Sequence, residues 1–224
     1  AYDRWWEARK LWGGLIVDIR AFARELVIFV PNTDLRLHCL RLVLAFVHLH
    51  RTQLRKLNPD ASAQSATQAA GLAPEASSHD ALNALAVLVA SAHRAGGIDG
   101  FGARALAARL ASFEFQQASN ERIAGTPLPY VYSLLVFRTS YLYCLLLPLA
   151  LIGPAGWLTP LFVGIVSYVF FGLAEVTEEL AHPFGATLNA LPLDALCRVA
   201  EISMAPHLGQ EPPAALKPQN YYLS

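Results

Sequence analysis

The chain has 224 residues, of which 54% are hydrophobic and 15% charged. Soluble domains average about 45–50% and about 25% for these classes, so the composition leans toward a membrane protein with a substantial soluble portion. With 17 basic and 17 acidic side chains the formal net charge is zero, which gives no bulk attraction for nucleic acid.

The chain opens on AYDRWWEARK, in mid-pattern and without an initiator Met. It therefore reads as a piece whose natural N-terminus lies upstream, in a segment with room for another membrane span. Residues 1 to 30 predict a helix, because Trp5, Trp12, Leu15, Ile19, Phe22, Leu26 and Phe29 recur at three- and four-residue steps. Pro31-Asn32 ends it. The Trp5-Trp6 pair beside Arg4, Glu7, Arg9 and Lys10 fits either a membrane–water boundary or the anchor of a helical core.

A second helix is expected over residues 35–57, capped by Thr33 or Asp34. Its basic residues Arg36, Arg41, Arg51, Arg55 and Lys56 suit either an anionic membrane surface or packing among cytosolic helices. Asn58 to Asp80, rich in Ala, Ser, Gln and Pro, reads as a loop or loosely helical linker and as the least ordered segment. Ala81 to Arg94 predicts a helix with Leu82, Leu85, Leu88 and Val89 inward, closed by Gly96-Gly97. The short connection Ile98-Asp99-Gly100-Phe101 leads into a helix from about Gly102 to Ile123, which Pro127 and Pro129 break.

Glu121 to Gly185 holds two apolar segments around a short uncharged turn. The first, Tyr130 to Leu151, would be about 33 Å long as a helix, against a hydrocarbon core about 30 Å thick. The second, Trp157 to Ala174, is at the lower limit for a span. Together they predict a transmembrane hairpin. Arg104, Arg109 and Arg122 before it and Arg198 after it place both its ends in the cytoplasm.

Within that hairpin, Arg138 costs about 2.5–3.5 kcal/mol at mid-bilayer on insertion scales. It is either an ion-path or subunit-interface contact or a side chain snorkelling to the cytoplasmic interface. Glu175, Glu178 and Glu179 neighbour one another at helical spacing and either form a cation-attracting ring in an oligomer or are simply solvated and paired. Cys39, Cys144 and Cys197, odd in number and far apart, argue against a disulfide framework. The seven histidines make no metal-binding pattern, and no nucleotide-binding or hydrolase motif is present. No cofactor and no metal site are therefore expected. An enzyme using Glu121 and His182 is the weakest reading.

The motifs RWWEARKLWG (residues 4–13), ERIAGTPLPYVYSLL (121–135), RTSYLYCLLLP (138–148), VSYVFFGLAEVTEEL (166–180), HPFG (182–185) and LPLDALC (191–197), in this order, resemble the bacterial bestrophin homologues. The resemblance implies an all-α membrane protein with a transmembrane hairpin and a cytosolic helical bundle. Its parts would be cytosolic helices over residues 1–123, the hairpin over 124–180 and a cytosolic C-terminal segment over 181–224. It implies a homopentameric channel in a bacterial inner membrane, multi-pass, contacting lipids and passing monovalent ions, with no nucleic-acid partner. One apolar neck is implied upstream of residue 1. A second constriction maps, counting back from Pro129, to Phe101, with Ile98 the alternative if the register slips. Animal relatives bind calcium through acidic residues after the corresponding HPFG motif, where this chain offers only Asp194 before Arg198, so calcium-independent behaviour is expected. The bacterial likeness favours cations such as sodium. An anion channel of the same family and a non-conducting membrane scaffold are the alternatives.

Overall fold

A computed structural model describes residues 1–218. The described residues form eight α-helices and two short 3₁₀ turns. Five of the helices build a body: α1 (Tyr2–Phe29), α2 (Thr33–Leu54), α3 (Ala61–Ala69), α4 (Ser78–Arg94) and α5 (Gly100–Gly125). Next come α6 (Tyr130–Ala155) and α7 (Thr159–Ala181), joined by the 3₁₀ turn Gly156–Leu158. The last helix, α8 (Leu193–Met204), runs into a second 3₁₀ turn, Ala205–Leu208.

The apolar stripe expected of α1 is the stripe it buries. Trp12, Leu15, Ile19, Phe22 and Leu26 are all at or near zero exposure. They face mainly α5, where Phe22 meets Phe113 edge-on with ring centroids 5.6 Å apart. Across the same seam Arg109 of α5 bonds Asp18 (2.6 Å) and Glu25 (2.7 Å) of α1, and Ser112 donates to the second Asp18 oxygen at 2.6 Å. A largely buried carboxylate is tolerated only when paired and hydrogen-bonded in this way. Trp12 and Phe46 sandwich the imidazole of His50, at centroid distances of 5.7 and 5.8 Å. Full burial there pushes the His50 pKa down to about 3, so the ring is neutral.

Local capping fixes where the helices begin. Asn32, not Thr33 or Asp34, caps α2, its side chain accepting from Leu35 N at 2.9 Å. Ser77 and Asp80 form a reciprocal capping box at α4. The stretch expected to be loop-like contains α3, because Asp60 caps it by accepting from Ala63 N (2.9 Å) and an alanine-rich run has high helix propensity. Arg51 then ties Asp60 and Ser62 to α2, and Ala63 and Thr67 are buried.

The chain after α7 returns to the body. Phe184, Leu191, Leu193, Leu196, Cys197, Ala200 and Met204 join the same buried cluster as α1 and α2. Asp194 lies between Arg51 and Arg55, the latter at 2.7 Å. His48 meets Glu201 at 2.8 Å.

The hairpin is built differently. Only 6% of its most apolar window is buried. Leu145 and Leu149 are each 73% exposed, and Tyr141, Leu142 and Leu146 are exposed with them. The two helices are held to one another by Tyr141 against Phe171 (4.9 Å) and Tyr143 against Phe170 (5.2 Å). Their turn closes through Gly156, at φ +52°, and through Thr159, whose hydroxyl donates to Gly156 O at 2.7 Å. Helices of 26 and 23 residues span about 39 and about 35 Å at about 1.5 Å per residue. The apolar exterior over residues 130–174, interrupted by Arg138, is of the kind that suits a bilayer better than water.

Candidate functional site

The α4–α5 junction presents the expected constriction residue. Gly96, at φ +77°, ends α4 in the left-handed conformation that glycine tolerates best. Ile98 turns inward and is 2% exposed, while its carbonyl lies 2.9 Å from His93 Nδ1. Asp99 caps α5 by accepting from Gly102 N at 2.6 Å. Gly102 sits so close to α1 that an added Cβ would stand 2.8 Å from Phe29 Cβ. The backbone on both sides of Phe101 is thus pinned, by a cap, by a buried isoleucine and by a close helix contact. Phe101 itself is 82% exposed, on the first turn of α5 and not in a loop before it.

The two candidates differ in burial: Ile98 packs in the subunit's own core, which leaves it little surface to offer a channel axis. Phe101 offers nearly all of its ring.

The remaining candidate residues cluster near the hairpin without meeting Phe101 in sequence or in one element. Arg138 is exposed on α6, whose first residue is Tyr130. Glu178 lies 3.5 Å from His182, and Glu179 accepts from Asn189 Nδ2. Glu175 is exposed. Trp5 Nε1 in turn donates to the Asn189 carbonyl at 2.8 Å, so the tryptophan motif latches the loop after α7 onto the start of α1. Arg4 completes that latch by donating to the carbonyls of Ile123 and Thr126, the open C-terminal end of α5. Neither Arg4 nor Trp5 was singled out as a site by sequence reasoning, although both lie in the RWWEARK motif.

Glu121, weighed above as catalytic, accepts from Gln117 Nε2 (2.8 Å) and Gln53 Nε2 (3.3 Å), and Arg122 pairs with Glu7 at 2.6 Å. These bonds give both residues structural work between α1, α2 and α5. Among the described residues no group of three or more His, Cys, Asp or Glu side chains is placed to hold a metal ion.

A helical body continuous with an unburied apolar hairpin defines the class, an all-α membrane protein. The sequence matches the family described as Bacterial/Fungal Bestrophin protein over residues 1–206. A voltage-dependent anion channel-forming protein of Mesorhizobium japonicum is 48% identical over 227 aligned residues, covering 100% of this chain and 74% of that protein. The voltage-dependent anion channel-forming protein YneE of Escherichia coli K12 is 35% identical over 227, covering 99% and 74%. Among solved structures, a bacterial bestrophin homologue from Klebsiella pneumoniae superposes with a TM-score of 0.85 at 31% identity, over 94% of this chain and 80% of that one. The chain belongs to the bacterial and fungal bestrophin family, a family of channels and not of enzymes. The names of the curated relatives specify anions, against the cation preference expected from the resemblance.

Proposed function

We propose that this chain is part of a subunit of a homopentameric, multi-pass channel in a bacterial inner membrane, passing monovalent anions passively and without a calcium trigger. The observation that carries the reading is Phe101: an apolar ring 82% exposed on a backbone that cannot retract it. A ring of five such side chains would form an apolar constriction that gates by wetting. The names of the channel-forming relatives point to anions.

The charged residues of the hairpin fit this role as supports. Arg138 lies about two turns into α6, within reach of the cytoplasmic interface by snorkelling. Glu178 and Glu179 are engaged by His182 and Asn189, which argues against a dedicated cation ring. Asp194 is held by Arg51 and Arg55, so the carboxylate that would be needed for a calcium clasp is already neutralised by two guanidinium groups.

Reversal potentials of the full-length protein in planar bilayers across a potassium chloride gradient test the reading. Reversal near the chloride equilibrium potential is expected. Reversal near the potassium potential would restore the cation alternative, and full-length protein without current would favour a scaffold. Chelating calcium is expected to leave the current unchanged.

A further inference from the structure

Where the body meets the hairpin, four separate segments close around a cavity of about 260 Å³. Arg4 comes from α1, Arg55 and Lys56 from the end of α2, Ala124 from the end of α5, and His182 to Gly185 from the chain leaving α7. No acidic side chain is among the lining residues. Arg4 spends its terminal nitrogens on the carbonyls of Ile123 and Thr126, and Arg55 one of its own on Asp194. The Nε–H groups of both arginines are buried without an acceptor. Three cationic side chains on one cavity wall with no lining carboxylate match an anionic oxygen.

Lys56 adds a second, independent sign. It follows the last turn of α2 in the left-handed conformation, at φ +56°. Its N–H bonds Gln53 O, and the next N–H, of Leu57, bonds Thr52 O. This is the helix-ending geometry in which glycine is usual. A lysine there accepts backbone strain to place an exposed cation at the cavity.

The cavity does not stand alone. His182 also lines an adjoining groove of about 570 Å³ between the start of α6 and the end of α7, whose wall includes Pro127, Leu128, Tyr130, Leu134, Phe137 and one carboxylate, Glu178. A basic recess thus opens beside an apolar slot, at the level where the hairpin leaves the body.

We infer that this compound site binds an anionic glycerophospholipid, its phosphate in the recess of Arg4, Arg55 and Lys56 and an acyl chain in the groove along Leu134 and Phe137. Charge complementarity selects the headgroup, and basic recesses on the cytoplasmic side of membrane helices suit anionic lipids. The adjoining apolar groove selects a lipid over free phosphate. The inference rests on reading α6 and α7 as bilayer spans. It couples the lipid to the latch through Arg4, which also caps α5, the helix that carries Phe101.

The test uses detergent-purified full-length protein and three soluble probes: dioctanoyl phosphatidylglycerol, dioctanoyl phosphatidylcholine and inorganic phosphate. The phosphatidylglycerol is expected to raise the thermal midpoint in a saturable way, and the other two at equal concentration are not. Lys56→Gly is expected to raise the midpoint of the lipid-free protein, because glycine suits the left-handed position, and to weaken phosphatidylglycerol binding about five-fold. Equal stabilisation by phosphatidylcholine, stabilisation by inorganic phosphate alone, or undiminished binding by Lys56→Gly would each overturn it. Current and lipid binding are read separately: a conducting protein that ignores phosphatidylglycerol defeats only the lipid site, and a silent protein that binds it defeats only the channel reading.

Discussion

The body and the hairpin are both helical, yet they are stabilised by opposite means. In the body, apolar side chains of α1, α2, α4, α5 and α8 converge on one cluster, and charges cross between helices in short, partnered contacts such as Arg109 with Asp18 and Glu25. In the hairpin the large apolar residues point outward, and the two helices meet through the ring contacts Tyr141–Phe171 and Tyr143–Phe170. The body carries its own hydrophobic core. The hairpin borrows its apolar environment from lipid or from neighbouring subunits. The difference teaches that the surface of each region has to be read by a different rule. Exposed leucines on α6 form a continuous apolar face that suits lipid, whereas Phe101 is an isolated exposed ring on the body, which we read as facing other subunits.

The strongest way to break this comparison is to truncate one large apolar side chain in each region. Phe22→Ala, in the centre of the body, is expected to destabilise by about 3–5 kcal/mol, read from chemical denaturation in detergent. Leu145→Ala, 73% exposed on α6, is expected to stay within about 0.5 kcal/mol. Equal losses would show that the hairpin face is packed in the same sense as the core.

A somewhat smaller effect is expected from the charge seam. Arg109→Ala leaves Asp18 buried with Ser112 as its remaining partner, and removing one member of a buried pair costs about 3 kcal/mol. Double substitution of Arg109 and Asp18 by apolar residues should recover much of that loss, which a double-mutant cycle checks. Failure to recover would mean that the pair does more than neutralise itself.

His50 gives the smallest and most selective effect. Its pKa is about 3 in the folded protein because burial excludes the charged form, against about 6.5 when unfolded. The unfolded state therefore binds the extra proton first, and stability falls as pH drops below about 6.5, by up to about 1.4 kcal/mol per pH unit until the folded pKa is reached. Between about pH 6.5 and 4.5, before the carboxylates add their own titration, His50→Leu is expected to flatten the slope of stability against pH. An unchanged slope would assign the acid sensitivity elsewhere in the body.

Much of the body was legible in the sequence because periodicity reports burial directly. The stripe from Trp12 to Leu26 is the core face of α1, and the length and flanking charge of residues 130–174 marked the hairpin. The parts that were not legible depend on contacts between distant segments. Helix α3 has no strong apolar stripe, and its anchors are Arg51 on α2 and the cap from Asp60. Ile98 and Phe101 are both apolar and three residues apart, so a slip of register would exchange them and the sequence kept Ile98 as the alternative. Their opposite fates follow from Gly102 meeting Phe29 at the end of α1, which fixes which side of the turn faces inward. The basic recess is less legible still, because Arg4, Arg55, Lys56 and His182 form no local motif and converge only once α1, α2 and α7 are in place.

The most direct measurement is the single-channel conductance of the full-length protein with Phe101→Ala, taken beside its thermal stability. An aperture formed by this ring predicts a clear change in conductance or ion selectivity. It also predicts stability within about 0.5 kcal/mol of the parent, since the side chain is exposed and little packing is lost. Unchanged conductance and selectivity in a stably folded variant would contradict the assignment of Phe101 to the pore.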